Sequence, residues 1–369
     1  ANAYVALAEA AGPELEGAGR LAWVRRLARD QENLHAAFDW LVGQGETELS
    51  CRLVGALTWF WYPQGKVHEG REWAERALGV ARAPERSSAR AKALFTAGQL
   101  AFNLGEESLA RRRLEASASL FQELGDDVGL ARVRVHLGLV VVQDEPFAAR
   151  ALDEEALAVL RRLGDTPWTA LALLCSGRRA ALSDDTTSAQ DGFMGSLALY
   201  RALGDAQMAA EVLNALGDLA RTTGDDDRAA ALYSESLKLL RQLGGGSGLP
   251  GLLQNLGHVA RRRGEHRRSL DCFSEALALF RAHGDRRGVA ECLGGVATVA
   301  LAVGQFERAA RLLGAMAAFL EAGEIVAVPA IAREQARHAA TARARLGAGK
   351  FAAAWAAGRA MSINRARAE

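Results

Sequence analysis

The chain of 369 residues exceeds the span of one compact core, and half of it is hydrophobic although aromatics make up only 6%. An apolar share carried by Ala and Leu points to closely packed helices rather than sheets. Lys plus Arg number 45 against 44 Asp plus Glu, which excludes a global pull toward nucleic acid or anionic lipid.

The N-terminus, Ala1-Asn2-Ala3-Tyr4, lacks the basic start and apolar core of an export signal. It also lacks an initiator Met, so an excised fragment is expected. No apolar run approaches the roughly 18 residues that a membrane helix needs. The four cysteines, Cys51, Cys175, Cys272 and Cys292, show no CxxC spacing. This argues against a disulfide framework or a zinc site and for a reduced, cytoplasmic protein.

Residues 1–85 form the first segment. They read as helices, with Trp40, Trp59, Trp61 and Trp73 expected on apolar faces. The run Trp59 to Tyr62 is open to two readings, a ligand platform or core packing of the first helices, and core packing is the expected one.

Residues 86–320 carry a tandem repeat. Gly125, Gly164, Gly204, Gly244 and Gly284 follow one another at 39, 40, 40 and 40 residues, and Gly98, Gly138, Gly177, Gly217 and Gly257 at 40, 39, 40 and 40. A fixed period in this range is the signature of stacked supersecondary units. Glycines of the first series end Leu-rich runs and are followed by Asp126, Asp165, Asp205 or Asp285. A left-handed helix stop beside an N-capping carboxylate is expected there. The second series lies inside helical patterns, where each glycine costs about 1 kcal/mol of propensity; a neighbouring helix at close approach explains that cost. Ala297 stands where the register asks for the next glycine and keeps the site small.

Further stops fall at Gly105, Gly224, Gly264 and Gly304. Each unit is therefore helix, turn, helix, turn. One unit is a residue short, and its turn carries Glu145-Pro146, with proline suited to the first helical position. An ordinary turn variant is expected there rather than a kink for ligand access.

Leu216, Gly217, Ala229, Tyr233 and Ser236, and then Leu256, Gly257, Ser269, Phe273 and Ala276, resemble the small and aromatic positions of the tetratricopeptide family, with helices longer than its usual repeat of about 34 residues. The expected fold is an all-α, right-handed superhelical α-solenoid of tetratricopeptide-like helical hairpins. Residues 321–369 are read as C-terminal capping helices, including one from about Ala330.

A second resemblance comes from the ends. Trp23, Asn33, Leu34, Ala36, Ala37 and Trp40, then Trp59-Phe60-Trp61-Tyr62 and Glu69-Gly70-Arg71-Glu72-Trp73, are similar to the segment after the winged helix in large ATP-binding LuxR-type regulators of the STAND class of signal-transduction ATPases. The closing stretches 310–322 and 349–362 are similar to the last helices of that family. The resemblance implies a non-catalytic sensor and protein-interaction domain of a transcriptional regulator, with an ATPase module in cis. The alternative is a free-standing tetratricopeptide scaffold that binds peptide segments of other proteins.

No motif supports catalysis. Gly65-Lys66 is followed by Val67 and Gly349-Lys350 by Phe351, so no phosphate-cradling GxxxxGK[ST] loop occurs. The GxGxxG match at 246–251 falls in a helix-to-helix turn rather than a βαβ unit. The seven histidines lack metal-ligand spacing, and Asp184-Asp185 and Asp225-Asp226-Asp227 read as helix caps. No cofactor, metal, membrane or direct nucleic-acid contact is expected, and no enzyme activity.

The remaining candidate is distributed. The first helices of successive hairpins line the concave face of such solenoids, and helical spacing along them selects Arg132, Arg178, Glu211, Asn214, Asp218, Arg221, Gln254, His258 and Arg261. These form a groove for a protein or peptide partner or a small effector, or else a merely solvated face. The Ala-rich final helices either cap the array or join copies into a homo-oligomer.

Overall fold

A computed structural model describes residues 1–80, 86–245, 248–322 and 329–361. The described residues form nineteen α-helices. They fall into two compact units, 1–219 and 220–369, each considered by itself. Positions 246 and 247 of the GxGxxG match lie outside the described residues, as do the ends of the first and last predicted segments.

The first unit starts with α1 (Asn2–Leu15), α2 (Arg20–Arg29), α3 (Gln31–Gly43), α4 (Thr47–Ala56) and α5 (Val67–Leu78). Three hairpins follow: α6 (Ser88–Asn103) with α7 (Glu107–Leu124), α8 (Asp127–Val141) with α9 (Pro146–Leu163), and α10 (Thr166–Leu182) with α11 (Thr186–Ala202). The boundary between units falls in α12 (Ala206–Thr222). The second unit holds α13 (Asp226–Gln242), α14 (Leu249–Arg262), α15 (His266–Ala282), α16 (Arg286–Ala302), α17 (Phe306–Ala322), α18 (Pro329–Leu346) and α19 (Ala348–Arg359). Each unit is a stack of tetratricopeptide-like hairpins. In the first, α8 packs against both α6 and α10; in the second, α14 packs against α16.

The turns form as the glycine and aspartate pairs predict. Gly125 ends α7 at φ 69°, a conformation that costs any residue with a Cβ. The N–H of Asp126 then reaches back to the Phe121 carbonyl at 2.9 Å, and its carboxylate accepts the Gly129 N–H at 2.8 Å. The carboxylates of Asp185 and Asp225 accept N–H groups of Ser188 and Arg228 at 3.0 Å in the same way. Asp184 adopts the left-handed conformation at φ 59°, which Gly105, Gly224, Gly264 and Gly304 supply in their hairpin turns. A short polar side chain tolerates that region better than a branched one. Pro146 opens α9 at its first turn, behind Glu145.

The glycines inside helices mark close contacts. A Cβ on Gly257 would sit 2.9 Å from the Phe273 ring, and that ring is fully buried. At the end of the second unit, Gly314 and Gly358 let the backbones of α17 and α19 meet. Buried serines lock helices of one hairpin together: Ser117 donates to the Ala91 carbonyl at 2.8 Å and Ser196 to that of Ala170 at 2.7 Å. Ser236, read from sequence as a small packing residue, holds the same register and is fully buried.

The short hairpin of α8 and α9 differs inside. Asp153 occupies the register of Phe193, Tyr233 and Phe273 and is 3% exposed. Arg179 donates to it from Nε at 2.5 Å. Burial raises the Asp153 pKa despite the lowering effect of that guanidinium.

Candidate functional site

The expectation for the four N-terminal tryptophans holds in part. Trp61 and Trp73 are buried, with Trp73 stacked on Phe38 at 4.2 Å between ring centres. Trp40 is a correction, since it is 54% exposed. The run Trp59 to Tyr62 divides by direction: Phe60 and Trp61 enter the core, and Tyr62 is half exposed. Trp59 turns toward α8 and α10, where its ring centre lies 5.8 Å from that of Trp168 and 6.0 Å from that of His136.

The two tryptophan rings stand at a cavity of about 710 Å³ walled by α1, α4, α6 and α8, with Trp168 of α10 at its edge. Trp59, Lys92, Phe95, Arg132 and Glu16 line it as well. Phe95 meets the edge of His136 at 5.0 Å. Burial depresses the His136 pKa to about 4, so the ring is neutral near pH 7 and acts as a packing surface.

Arg132 organises the polar side of the cavity. It donates from Nη2 to the Asp165 carboxylate at 2.8 Å and from Nη1 toward that of Glu16 at 3.5 Å. Its guanidinium carbon lies 4.8 Å from the Trp168 ring centre, a cation–π arrangement. The Trp168 indole N–H donates to the other Glu16 oxygen at 2.9 Å. The site thus joins aromatic surface, a fixed cation and an indole donor. It can hold a ligand with an apolar body and an acceptor group.

The predicted groove residues fall into both units. In the first, Arg178 and Glu211 pair directly at 2.6 Å, each about 40% exposed. Asn214 and Asp218 are half-buried on α12, and Arg132 lines the large cavity. In the second unit, Arg221 and Arg261 are half-buried. Gln254 donates to Glu291 at 2.9 Å. Together with His258 these two line a cavity of about 90 Å³ that also receives Glu334 and His338. His258 packs edge-on to Phe273 at 5.0 Å, and burial followed by the nearby Arg261, Arg221 and Arg262 depresses its pKa to about 4.

Sequence reasoning missed Glu16, Lys92, Phe95, Asp165 and Trp168 as parts of one site. One signal was present. Trp168 occupies the register of Gly129, Met208 and Gly288, where a large indole has no architectural role that the other hairpins share. Glu16 carried no such signal, since it lies outside the repeat.

Among the described residues no group of His, Cys, Asp or Glu is arranged to hold a metal ion, and no helix is long and apolar enough to cross a membrane. All four cysteines are buried free thiols.

A tetratricopeptide-repeat family profile matches residues 251–319. A search of curated proteins finds no match. Among solved structures, the chain is similar to a STAND protein with a tetratricopeptide repeat sensor from Pyrococcus horikoshii, at 15% identity and a TM-score of 0.64, covering 92% of this chain. It spans about half of that protein, 49%. It is also similar to a Rap protein complexed with Competence and Sporulation Factor, at 11% identity and a TM-score of 0.59, covering 92% of this chain and 99% of that one. A third likeness is to NprR in complex with its cognate peptide NprX, at 13% identity and a TM-score of 0.53, covering 74% and 82%. At these identities the likeness concerns the fold. The chain is an all-helical protein of tetratricopeptide-like hairpins, with a matched tetratricopeptide repeat at 251–319.

Proposed function

We propose that this chain is the non-catalytic sensor of a signal-transduction ATPase-type transcriptional regulator, and that it binds an effector or a protein partner on the inner face of its hairpins. The observation that carries the reading is the cavity of the first unit, which Trp59, Phe95 and Trp168 line together with Arg132, whose guanidinium lies over the Trp168 ring. The likeness to a STAND protein with a tetratricopeptide repeat sensor supports the regulator context, as do the segments around Trp59 and Trp73. On this reading the ATPase lies in cis, and this chain makes no direct nucleic-acid contact. The inner-face residues Arg178, Glu211, Asn214, Asp218, Arg221, Gln254, His258 and Arg261 extend recognition beyond the cavity. Residues 1–85 connect to the ATPase side, 86–320 sense, and 321–369 cap.

The test is to purify the chain from its own host, release what it carries and identify it by mass spectrometry. Wild type should retain a defined ligand that Arg132→Glu loses. Equal retention by both would overturn the cavity as the site, and a genomic reading frame without a nucleotide-binding module would overturn the regulator context.

A second reading has its own support, because the fold spans 99% of a Rap protein complexed with a factor and 82% of a peptide-bound NprR. In that reading the chain is a free-standing scaffold for peptide segments. Charge reversal at Arg178 and Arg221 should then release its partners, and unchanged retention would sink the scaffold groove.

A further inference from the structure

The corner between α1 and α2 sits far in sequence from everything it touches on the inner face. Glu16 lies 116 residues from Arg132 and 152 from Trp168. Arg20, at the start of α2, stands 4.0 Å from the Asp205 carboxylate and 6.0 Å from the Trp59 ring centre. One carboxylate from outside the repeats therefore engages both an arginine and an indole N–H at the cavity. Glu16 also lines two neighbouring cavities, the large one beside Arg132 and a smaller one between Arg20, Trp59, Trp168 and Tyr200.

Resting on the inner-face reading above, we infer that Glu16 is an internal stand-in for a ligand carboxylate, and that the α1–α2 corner is a latch displaced when an organic acid with an apolar body binds among Trp59, Phe95 and Trp168. The exchange is balanced in charge. Arg132 keeps Asp165 throughout and trades one carboxylate for another, so the site does not acquire an unpaired buried cation. The Arg132 Nη1 contact to Glu16, at 3.5 Å, is longer than its Nη2 contact to Asp165, at 2.8 Å, so a carboxylate free to approach Nη1 more closely makes the better charge-assisted bond.

The latch has a backbone suited to release. Gly17 and Gly19 follow Glu16, and a Cβ at Gly17 would meet nothing, so the chain can turn at Gly17 while Leu15, buried and bonded through its carbonyl to Arg20 Nε at 2.7 Å, anchors the end of α1. The apolar requirement follows from the walls: a carboxylate alone gains nothing over Glu16, whereas a body that covers the Trp59, Phe95 and Trp168 surfaces does. An intramolecular competitor lowers the apparent affinity for the outside acid by the fraction of time it holds the seat. Ligand arrival would then move the α1–α2 corner, which belongs to the segment preceding the repeats. This gives the first unit a mechanical output.

The probe is 3-phenylpropionate, with 3-phenylpropanamide as its neutral counterpart, titrated calorimetrically into wild type, Glu16→Gln and Glu16→Gln/Arg132→Gln. Glu16→Gln should bind the acid roughly tenfold more tightly than wild type, the gain expected from removing one charge-assisted contact. The amide should show no such gain, and the Arg132 replacement should abolish the acid's. A second readout reports the seat directly: the ¹⁵N–¹H indole resonance of Trp168 should shift in Glu16→Gln and return toward its wild-type position when the acid saturates. Equal affinity of wild type and Glu16→Gln for the acid, or an equal gain for acid and amide, would overturn the latch. That result is distinguishable from failure of the inner-face reading, which is judged by retention of the native ligand in Arg132→Glu.

Discussion

The two hairpins built on Gly138 and Gly257 share a backbone socket and fill it in opposite ways. In α14 and α15 the Phe273 ring lies over Gly257 and also against Gly295. In α8 and α9, the hairpin one residue shorter, a Cβ on Gly138 would sit 2.8 Å from an Asp153 oxygen, and Arg179 of the next hairpin closes the charge. The fold requires a filled socket rather than an apolar one. An ion pair serves if both partners are held, and it couples adjacent hairpins in a way that a ring does not.

The largest effect should come from emptying either socket. Phe273→Ala should cost about 3–5 kcal/mol in a urea melt, from lost burial and the remaining cavity. Asp153→Ala should cost about 3 kcal/mol because it strands Arg179. The two should part company on repair: Asp153→Leu with Arg179→Met should recover most of the loss, and if it does not, the ion pair does more than fill space.

A second contrast concerns pH. Burial holds the His136 pKa at about 4, below the ordinary histidine value of 6.5. A folded value below the unfolded one means that the unfolded chain binds the extra proton. Stability from this group is therefore present above pH 6.5 and lost as pH falls toward 4. The loss amounts to about 3 kcal/mol. His136→Asn should flatten that window relative to wild type in melts taken at stepped pH.

Smaller effects test the hydrogen bonds and turns. Ser196→Ala should cost about 1 kcal/mol by removing the buried hydrogen bond that ties α11 to the Ala170 carbonyl of α10. Asp184→Gly should raise stability by about 0.5 kcal/mol, since glycine adopts the left-handed turn without the Cβ penalty. A destabilising result at position 184 would mean that the aspartate makes a contact beyond its backbone role.

The repeat was legible because two glycine series with one period record two separate physical demands, a left-handed stop and a close helix approach. Both appear at the residues that the period marks, Gly125 and Gly257 among them. The site was legible only where it lies on the repeat. Helical spacing found Arg132, Arg178 and Glu211, and the last two pair. It did not find Glu16, because a contact across 152 residues leaves no local pattern. It also did not separate Trp59 from Trp61, because successive residues of a turn point in directions that a helical period cannot assign.

The central claim is that recognition happens at the Arg132 and Trp168 cavity of the first unit. The most direct measurement is the set of tryptophan indole ¹⁵N–¹H resonances during titration with the ligand recovered from the native host. The signals of Trp59 and Trp168 should move together and saturate, while Trp355, in the second unit, stays in place. Movement of Trp355 with Trp59 and Trp168 unchanged would contradict it.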